Sequence, residues 1–135
     1  MSVATLFKLY AVALPAFLVL DLIWLGVVAR SFYQGQMGHL MRAQVNWVAA
    51  IAFYLLFVAG IVVLAVWPAI ERQSFTYALA LGTLLGLVTY AAYDLTNLAT
   101  LEGFPLTVAL IDLAWGTVLC ATVSAVTYRV SLRLI

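Results

Sequence analysis

Four long apolar runs constrain the fold of this chain more than any other feature. A helix that crosses the hydrocarbon core of a bilayer needs about 20 largely apolar residues. Runs of at least that length cover 6–29, 45–69, 75–100 and 105–128. Of all residues, 67% are hydrophobic and 8% are charged, which leaves too little polar surface for a water-soluble protein. The sequence predicts one all-α domain, an integral membrane four-helix transmembrane bundle with short loops.

Sparse charge and a single cysteine exclude several other classes of protein. The net charge is +1 and the six basic residues are scattered singly, so no basic patch is available to bind nucleic acid. Cys120 has no partner for an internal disulfide. His39 has no second His or Cys at ligand spacing, so no metal site is predicted. The sequence contains no recognisable cofactor motif.

The basic residues predict how the bundle is oriented. Four spans place both termini on the same side of the membrane as the second loop. That side carries four basic residues, Lys8, Arg72, Arg129 and Arg133. The other side carries Arg30 and Arg42. Because the side richer in Lys and Arg is usually cytoplasmic, we expect a multi-pass protein of the inner (plasma) membrane with both termini in the cytoplasm.

Three aspartates inside the spans are the first candidates for a functional site. Charged groups in hydrocarbon are costly and usually face a bundle interior or a wet cavity. At about 1.5 Å per residue, Asp21, Asp94 and Asp112 lie roughly 9 to 12 Å from the ends of their helices on the side away from the termini. Because three helices bring an acid to one depth, we expect a single shared cluster, with these acids as candidate catalytic residues.

Polar and small residues repeat on the same helix faces as the acids. Tyr90, Asp94 and Asn97 share one face of the third helix, and Gly82 and Gly86 extend that face with a GxxxG spacing. On the fourth helix, small or polar residues follow at every fourth position, namely Asp112, Gly116, Cys120 and Ser124. Such stripes let helices approach closely, so we expect both to face the bundle interior.

The pattern Asp-Leu-x-Trp occurs twice and places an indole one turn from an acid. Asp21 is followed by Trp24, and Asp112 is followed by Trp115. Each indole could donate a hydrogen bond to a carboxylate or to a ligand. The alternative interpretation is that both tryptophans anchor the protein at the membrane interface.

The stretch 30–44 is expected to form an amphipathic segment at the membrane interface. Its apolar residues fall at helical spacing, namely Tyr33, Met37, Leu40 and Met41. Its polar residues lie opposite them, namely Arg30, Gln34, His39 and Arg42. The segment is either a connector that contacts lipid headgroups, or a cover in which His39 or Arg42 pairs with a carboxylate or an anionic ligand.

Particular strings of residues resemble a known family. They are YDLTNLATL at 93–101, the pair Pro105 and Leu106, and DLAWG at 112–116. The chain resembles, over almost its whole length, a bacterial family of small membrane proteins of unknown function. The resemblance implies a four-span inner-membrane protein and supplies no activity and no site residues.

These features leave three hypotheses about function open. The first is an outward-facing pocket within the membrane that binds a lipid-like or small cationic ligand, as a receptor or as an acid–base enzyme acting on a lipid or isoprenoid. Its candidate ligand-binding residues are Trp24, Tyr90, Tyr93, Asn97, Trp115 and His39. The second is a proton- or cation-coupled transporter working as a homodimer. The third is a structural subunit of a membrane complex, in which the acids fix the helix register. The sequence does not decide whether the protein is an enzyme.

Overall fold

The structure, a computed structural model, describes all 135 residues and contains four membrane-length helices. They span Val3–Val28, Trp47–Glu71, Phe75–Thr100 and Leu106–Leu134. Each is long and apolar enough to cross a bilayer, and no strand is present. The predicted all-α, four-span architecture is confirmed.

The helices are numbered in chain order, and two of the spans contain a π-helical segment. The first span is α1, Val3–Ile23, followed by π-helical Trp24–Val28. After the short α2, Arg30–Met37, the second span consists of α3, Trp47–Ile61, a π-helical segment, Val62–Val66, and α4, Trp67–Glu71. The third and fourth spans are the uninterrupted helices α5, Phe75–Thr100, and α6, Leu106–Leu134.

Helix ends differ from the predicted ends where local chemistry permits more turns. α6 continues past 128 to Leu134, since the residues beyond the apolar run still form helical hydrogen bonds. The second span continues through Pro68 to Glu71, and the proline follows closely after the π-helical segment Val62–Val66, where the regular hydrogen-bond pattern is already interrupted. Trp67 Nε1 donates to Glu71 Oε1 over 2.7 Å, which fixes this indole at the end of the span.

Close packing of α5 against α6 fixes the centre of the bundle, as the two stripes of small residues predicted. A Cβ added to Gly82 would lie 2.6 Å from Ser124 Oγ. A Cβ added to Gly86 would collide with the carbonyl oxygen of Gly116 and lie 2.8 Å from Cys120 Cβ. Only glycine therefore permits this approach of the two backbones.

An apolar core fills the half of the bundle nearer the termini. Leu9, Phe17, Val58, Ile61 and Leu119 are fully buried in one cluster that joins α1, α3 and α6. We call this end the terminal end. The opposite end, which carries α2 and the two connections 38–46 and 101–105, is called the loop end.

The segment after the first span is shorter than its pattern predicted. α2 ends at Met37, and Leu40 and Met41 lie in an exposed turn rather than on a helical face. A glycine-containing sequence, Gly35 to Gly38, weakens the helix at this point. The apolar face of α2 nevertheless packs on a small cluster at the start of α6, which contains Phe104, Val108 and Ala109. α2 therefore covers the loop end of the bundle.

Candidate functional site

Asp21, on α1, is held by two hydrogen-bond donors from other helices. Its side chain is 5% exposed. The Tyr54 hydroxyl on α3 donates to Oδ2 over 2.8 Å, and Trp115 Nε1 on α6 donates to Oδ1 over 3.0 Å. Both donors are neutral, so they satisfy the carboxylate oxygens without balancing the charge. Asp21 therefore joins three helices through one side chain.

Asp112, on α6, is held by a donor from α2. The Tyr33 hydroxyl donates to Asp112 Oδ1 over 2.8 Å, and Trp24 Nε1 donates to the Tyr33 oxygen over 3.2 Å. Burial raises the pKa of the Tyr33 hydroxyl; the Trp24 hydrogen bond opposes this, and the charge of Asp112 adds to it. Tyr33 therefore remains a neutral phenol and keeps its proton for donation to Asp112.

The two Asp-Leu-x-Trp patterns exchange their indoles. Trp115 donates to Asp21, the acid of the other pattern, and Trp24 reaches Asp112 through Tyr33. The two indole rings stack with centroids 4.5 Å apart and planes 8° from parallel. Both rings lie within the cluster of acids, and their role in ligand binding stays a prediction. Antiparallel helices make this exchange possible, since each indole then lies at the level of the opposite acid.

Asp94, on α5, is the most buried acid and has no hydroxyl, amide or indole donor. Its side chain is 0% exposed, and neither oxygen accepts a hydrogen bond from such a group. The carboxyl group of Asp112 lies within hydrogen-bonding reach, so a proton shared by the two acids is the donor available to Asp94. An ionised carboxyl group buried without a donor is costly to the fold.

Tyr90, Tyr93 and Asn97 share a face of α5 with Asp94 but do not supply its missing donors. The Tyr90 ring packs over Gly116, where an added Cβ would collide with it. Tyr93 is 55% exposed, and Asn97 lies beside its hydroxyl. Polar neighbours in the sequence therefore do not become hydrogen-bond partners of Asp94, because the helix turns their side chains toward other groups.

A cavity of about 350 Å³ adjoins two of the acids. Asp21, Asp112 and Trp115 line its polar side. Leu25, Phe53, Thr89, Tyr90 and Tyr93 complete the lining. We call this space the acid pocket. Its volume lies at the lower end of the range typical of small-molecule sites, and its mixture of apolar walls with a few polar groups is typical of them.

A second, larger cavity lies beneath α2. Its volume is about 790 Å³, and it shares Leu25, Tyr93 and Asp112 with the acid pocket, so the two spaces adjoin. Arg30 and Gln34 of α2 line it as well. The pairing of Tyr33 with Asp112 stands where the two cavities meet, so α2 influences access to the acids from the loop end.

His39 and Arg42 do not provide the hydrogen bonds of the carboxylates. His39 Nε2 lies 3.1 Å from the carbonyl oxygen of Gly103, and it joins the two loop-end connections in an exposed position. Gly103 has φ +79°, a conformation that favours glycine, and its backbone oxygen meets the imidazole there. The role of His39 in ligand binding stays a prediction.

Sequence reasoning missed several residues of the site. Tyr54 was not among the candidate residues, but its hydroxyl reaches Asp21. Tyr33 was placed on the apolar face of the connector, and it binds Asp112. Phe53 and Thr89 carry no signal in the sequence, because an aromatic ring and a hydroxyl are ordinary in a transmembrane helix. Only helix packing brings them to the acid pocket.

Comparison with known proteins gives a family but no characterised relative. A family model described as "Predicted membrane protein (DUF2177)" matches residues 6–129. The chain belongs to this family. The match includes all three aspartates and both stacked tryptophans, and the family is one of unknown function. No curated protein and no solved structure matches the chain.

Proposed function

We propose that this protein binds an organic cation, an alkylammonium group, in the acid pocket. The observation that carries the proposal is the pair of acids that line this pocket, Asp21 and Asp112, which accept hydrogen bonds only from neutral groups, with the fully buried Asp94 beside Asp112. The hydrogen bonds that Asp21 and Asp112 accept come from phenol and indole groups, so none of them brings a positive charge. An ammonium group would supply both the charge and the donors that this cluster lacks.

The aromatic walls of the pocket suit an organic cation. Tyr90, Tyr93, Phe53 and Trp115 surround the space that Asp21 and Asp112 adjoin. The faces of aromatic rings attract cations, and the attraction strengthens where water is excluded. The carbon atoms next to an ammonium group are themselves apolar, and they would contact these rings favourably.

The apolar core favours a pocket over a transport path. The cluster that contains Phe17, Ile61 and Leu119 lies between the acids and the terminal end, and its members are fully buried. A transporter needs polar or water-filled contact with both sides at some stage of its cycle. The carboxylates instead adjoin cavities that lie toward the loop end and the bilayer.

Acid–base catalysis is a second candidate for the same residues. Asp94 and Asp112 have neighbouring carboxyl groups in unlike surroundings: one is fully buried, and the other is partly exposed to two cavities. Two carboxyl groups so placed can hold one proton between them, so that one acts as acid and the other as base. Asp21, already bound by two donors, would then position the indole of Trp115 rather than exchange protons.

A titration with butylammonium tests the proposal. The protein in nanodiscs, with Trp47 and Trp67 replaced by Phe, would report binding through the fluorescence of the stacked pair Trp24 and Trp115. We expect a saturable change, and we expect Asp112→Asn to weaken binding at least about tenfold through loss of a desolvated charge pair.

Glu102→Gln is the matched control, because Glu102 is an exposed acid on the connection between α5 and α6. This variant should bind butylammonium as the parent protein does. A parent protein that gives no saturable signal, or an Asp112→Asn variant that binds equally well, would overturn the proposal.

A further inference from the structure

The acid pocket continues into an apolar groove on the outside of the bundle. The groove has a volume of about 470 Å³ and runs between α3 and α5. Phe53 and Thr89 line both spaces, so the groove begins where the pocket ends. Along the second span it extends from Phe53 to Leu64, a distance of about 16 Å at 1.5 Å per residue.

Packing of the helices explains why the groove is open. The π-helical segment Val62–Val66 and α4 pack against α5, whereas α3 does not pack along it. The two helices touch at Phe57 and Tyr90, whose ring centroids are 6.4 Å apart. Phe57 therefore forms the floor of the groove, and the surface above it faces the hydrocarbon of the bilayer.

Apolar side chains and one glycine define the shape of the groove. Leu56 and Leu64 are 74% and 58% exposed on its rim, and Leu85 lines the α5 side. A Cβ added to Gly60 would meet no atom within 4 Å, so the glycine leaves open space in the groove rather than serving a close helix contact.

We propose that the ligand is a single-chain amphiphile, with its ammonium head in the acid pocket and its hydrocarbon chain along the α3–α5 groove. This inference rests on the proposed function. It decides between the two classes of ligand that the acid pocket alone permits, a small cation dissolved in water and an amine dissolved in the membrane. A small cation in water would have to pass α2, whose Tyr33 is bound to Asp112. A membrane-dissolved amine reaches the same acids between Phe53 and Thr89, with its chain in hydrocarbon throughout.

Photolabelling of the full chain in nanodiscs tests the inference. The probe is dodecylammonium with a diazirine in the middle of its chain, and the labelled residues are mapped by mass spectrometry. We expect labels on the groove residues Leu56, Val63 and Leu85, and we expect excess butylammonium to suppress them by competing for the acid pocket.

The variant Gly60→Phe tests the site of the hydrocarbon chain separately from the site of the ammonium head. A phenyl ring would fill the groove, so labelling there should fall about tenfold while the affinity for butylammonium stays unchanged. Ala52→Phe is the matched control, because Ala52 is exposed on the same helix and lines neither space.

Each outcome has one meaning. The inference is overturned if the parent protein is labelled away from the groove, or if Gly60→Phe is labelled as fully as the parent protein. In either case, saturable binding of butylammonium would still support the proposed function. Absence of butylammonium binding in the parent protein overturns both.

Discussion

Replacement of two glycines by alanine tests the packing that brings the carboxylates together. Gly86 faces α6, and Gly60 faces the open groove. At Gly60 the added methyl group meets no atom within 4 Å. Alanine lowers the free energy of a helix interior by about 0.5–1 kcal/mol relative to glycine, so Gly60→Ala should stabilise the protein by about that amount.

Gly86→Ala gains the same helix stabilisation from alanine, but its added methyl group collides with α6. Its Cβ would overlap the carbonyl oxygen of Gly116 and approach Cys120 Cβ to 2.8 Å. A backbone atom cannot rotate away, so α5 and α6 must separate. Overpacking of this kind costs about 1–3 kcal/mol. Because both variants gain the same helix stabilisation from alanine, only the collision distinguishes them. Their unfolding free energies should therefore differ by about 1–3 kcal/mol.

Equilibrium unfolding in mixed micelles of mild detergent and SDS, followed by tryptophan fluorescence, measures this difference. Gly60→Ala should unfold at a higher SDS fraction than the parent protein, and Gly86→Ala at a lower one. Equal unfolding midpoints for the two alanine variants would refute the close contact of α5 and α6 at Gly86 and Gly116.

Three further substitutions address the carboxylates themselves. Tyr33→Phe removes the donor to Asp112 and should lower the unfolding free energy by about 1 kcal/mol in the same micelle titration; an unchanged value would contradict the bond. Trp115→Phe removes the donor to Asp21 and should cost about 1–3 kcal/mol, measured likewise, whereas a neutral result would argue against a buried partner. Asp94→Asn should leave a folded bundle by circular dichroism but weaken butylammonium binding at least about tenfold, and unaltered affinity would remove Asp94 from the site.

The architecture could be predicted because it depends on properties that are local in sequence. The length and apolarity of a run such as 75–100 can be read directly from the sequence, and the helix found there has the same ends. The small-residue stripes could be predicted for a similar reason, since Gly82 and Gly86 on α5, and Gly116 and Cys120 on α6, each repeat every four residues within one helix. That period fixes which face of each helix packs against its neighbour.

The bonding within the site could not be predicted, because it depends on how separate helices are placed. Helical spacing indicated that Trp115 accompanies Asp112, yet its indole donates to Asp21, 94 positions away in sequence. Asp94 shares a helix face with Tyr90 and Asn97, which made hydrogen bonds from them the natural expectation. Neither supplies a donor, because neighbours on one helix can share a face without pointing at one another.

A high-resolution cryo-EM map of the protein in nanodiscs with dodecylammonium tests the central claim most directly. The account predicts density for an ammonium group between Asp21 and Asp112, continuous with a chain that passes Phe53 and follows the groove past Gly60. A packed cluster in which all carboxylate oxygens are bonded to protein groups, with no density in the acid pocket, would contradict it and favour a purely structural role for the three aspartates.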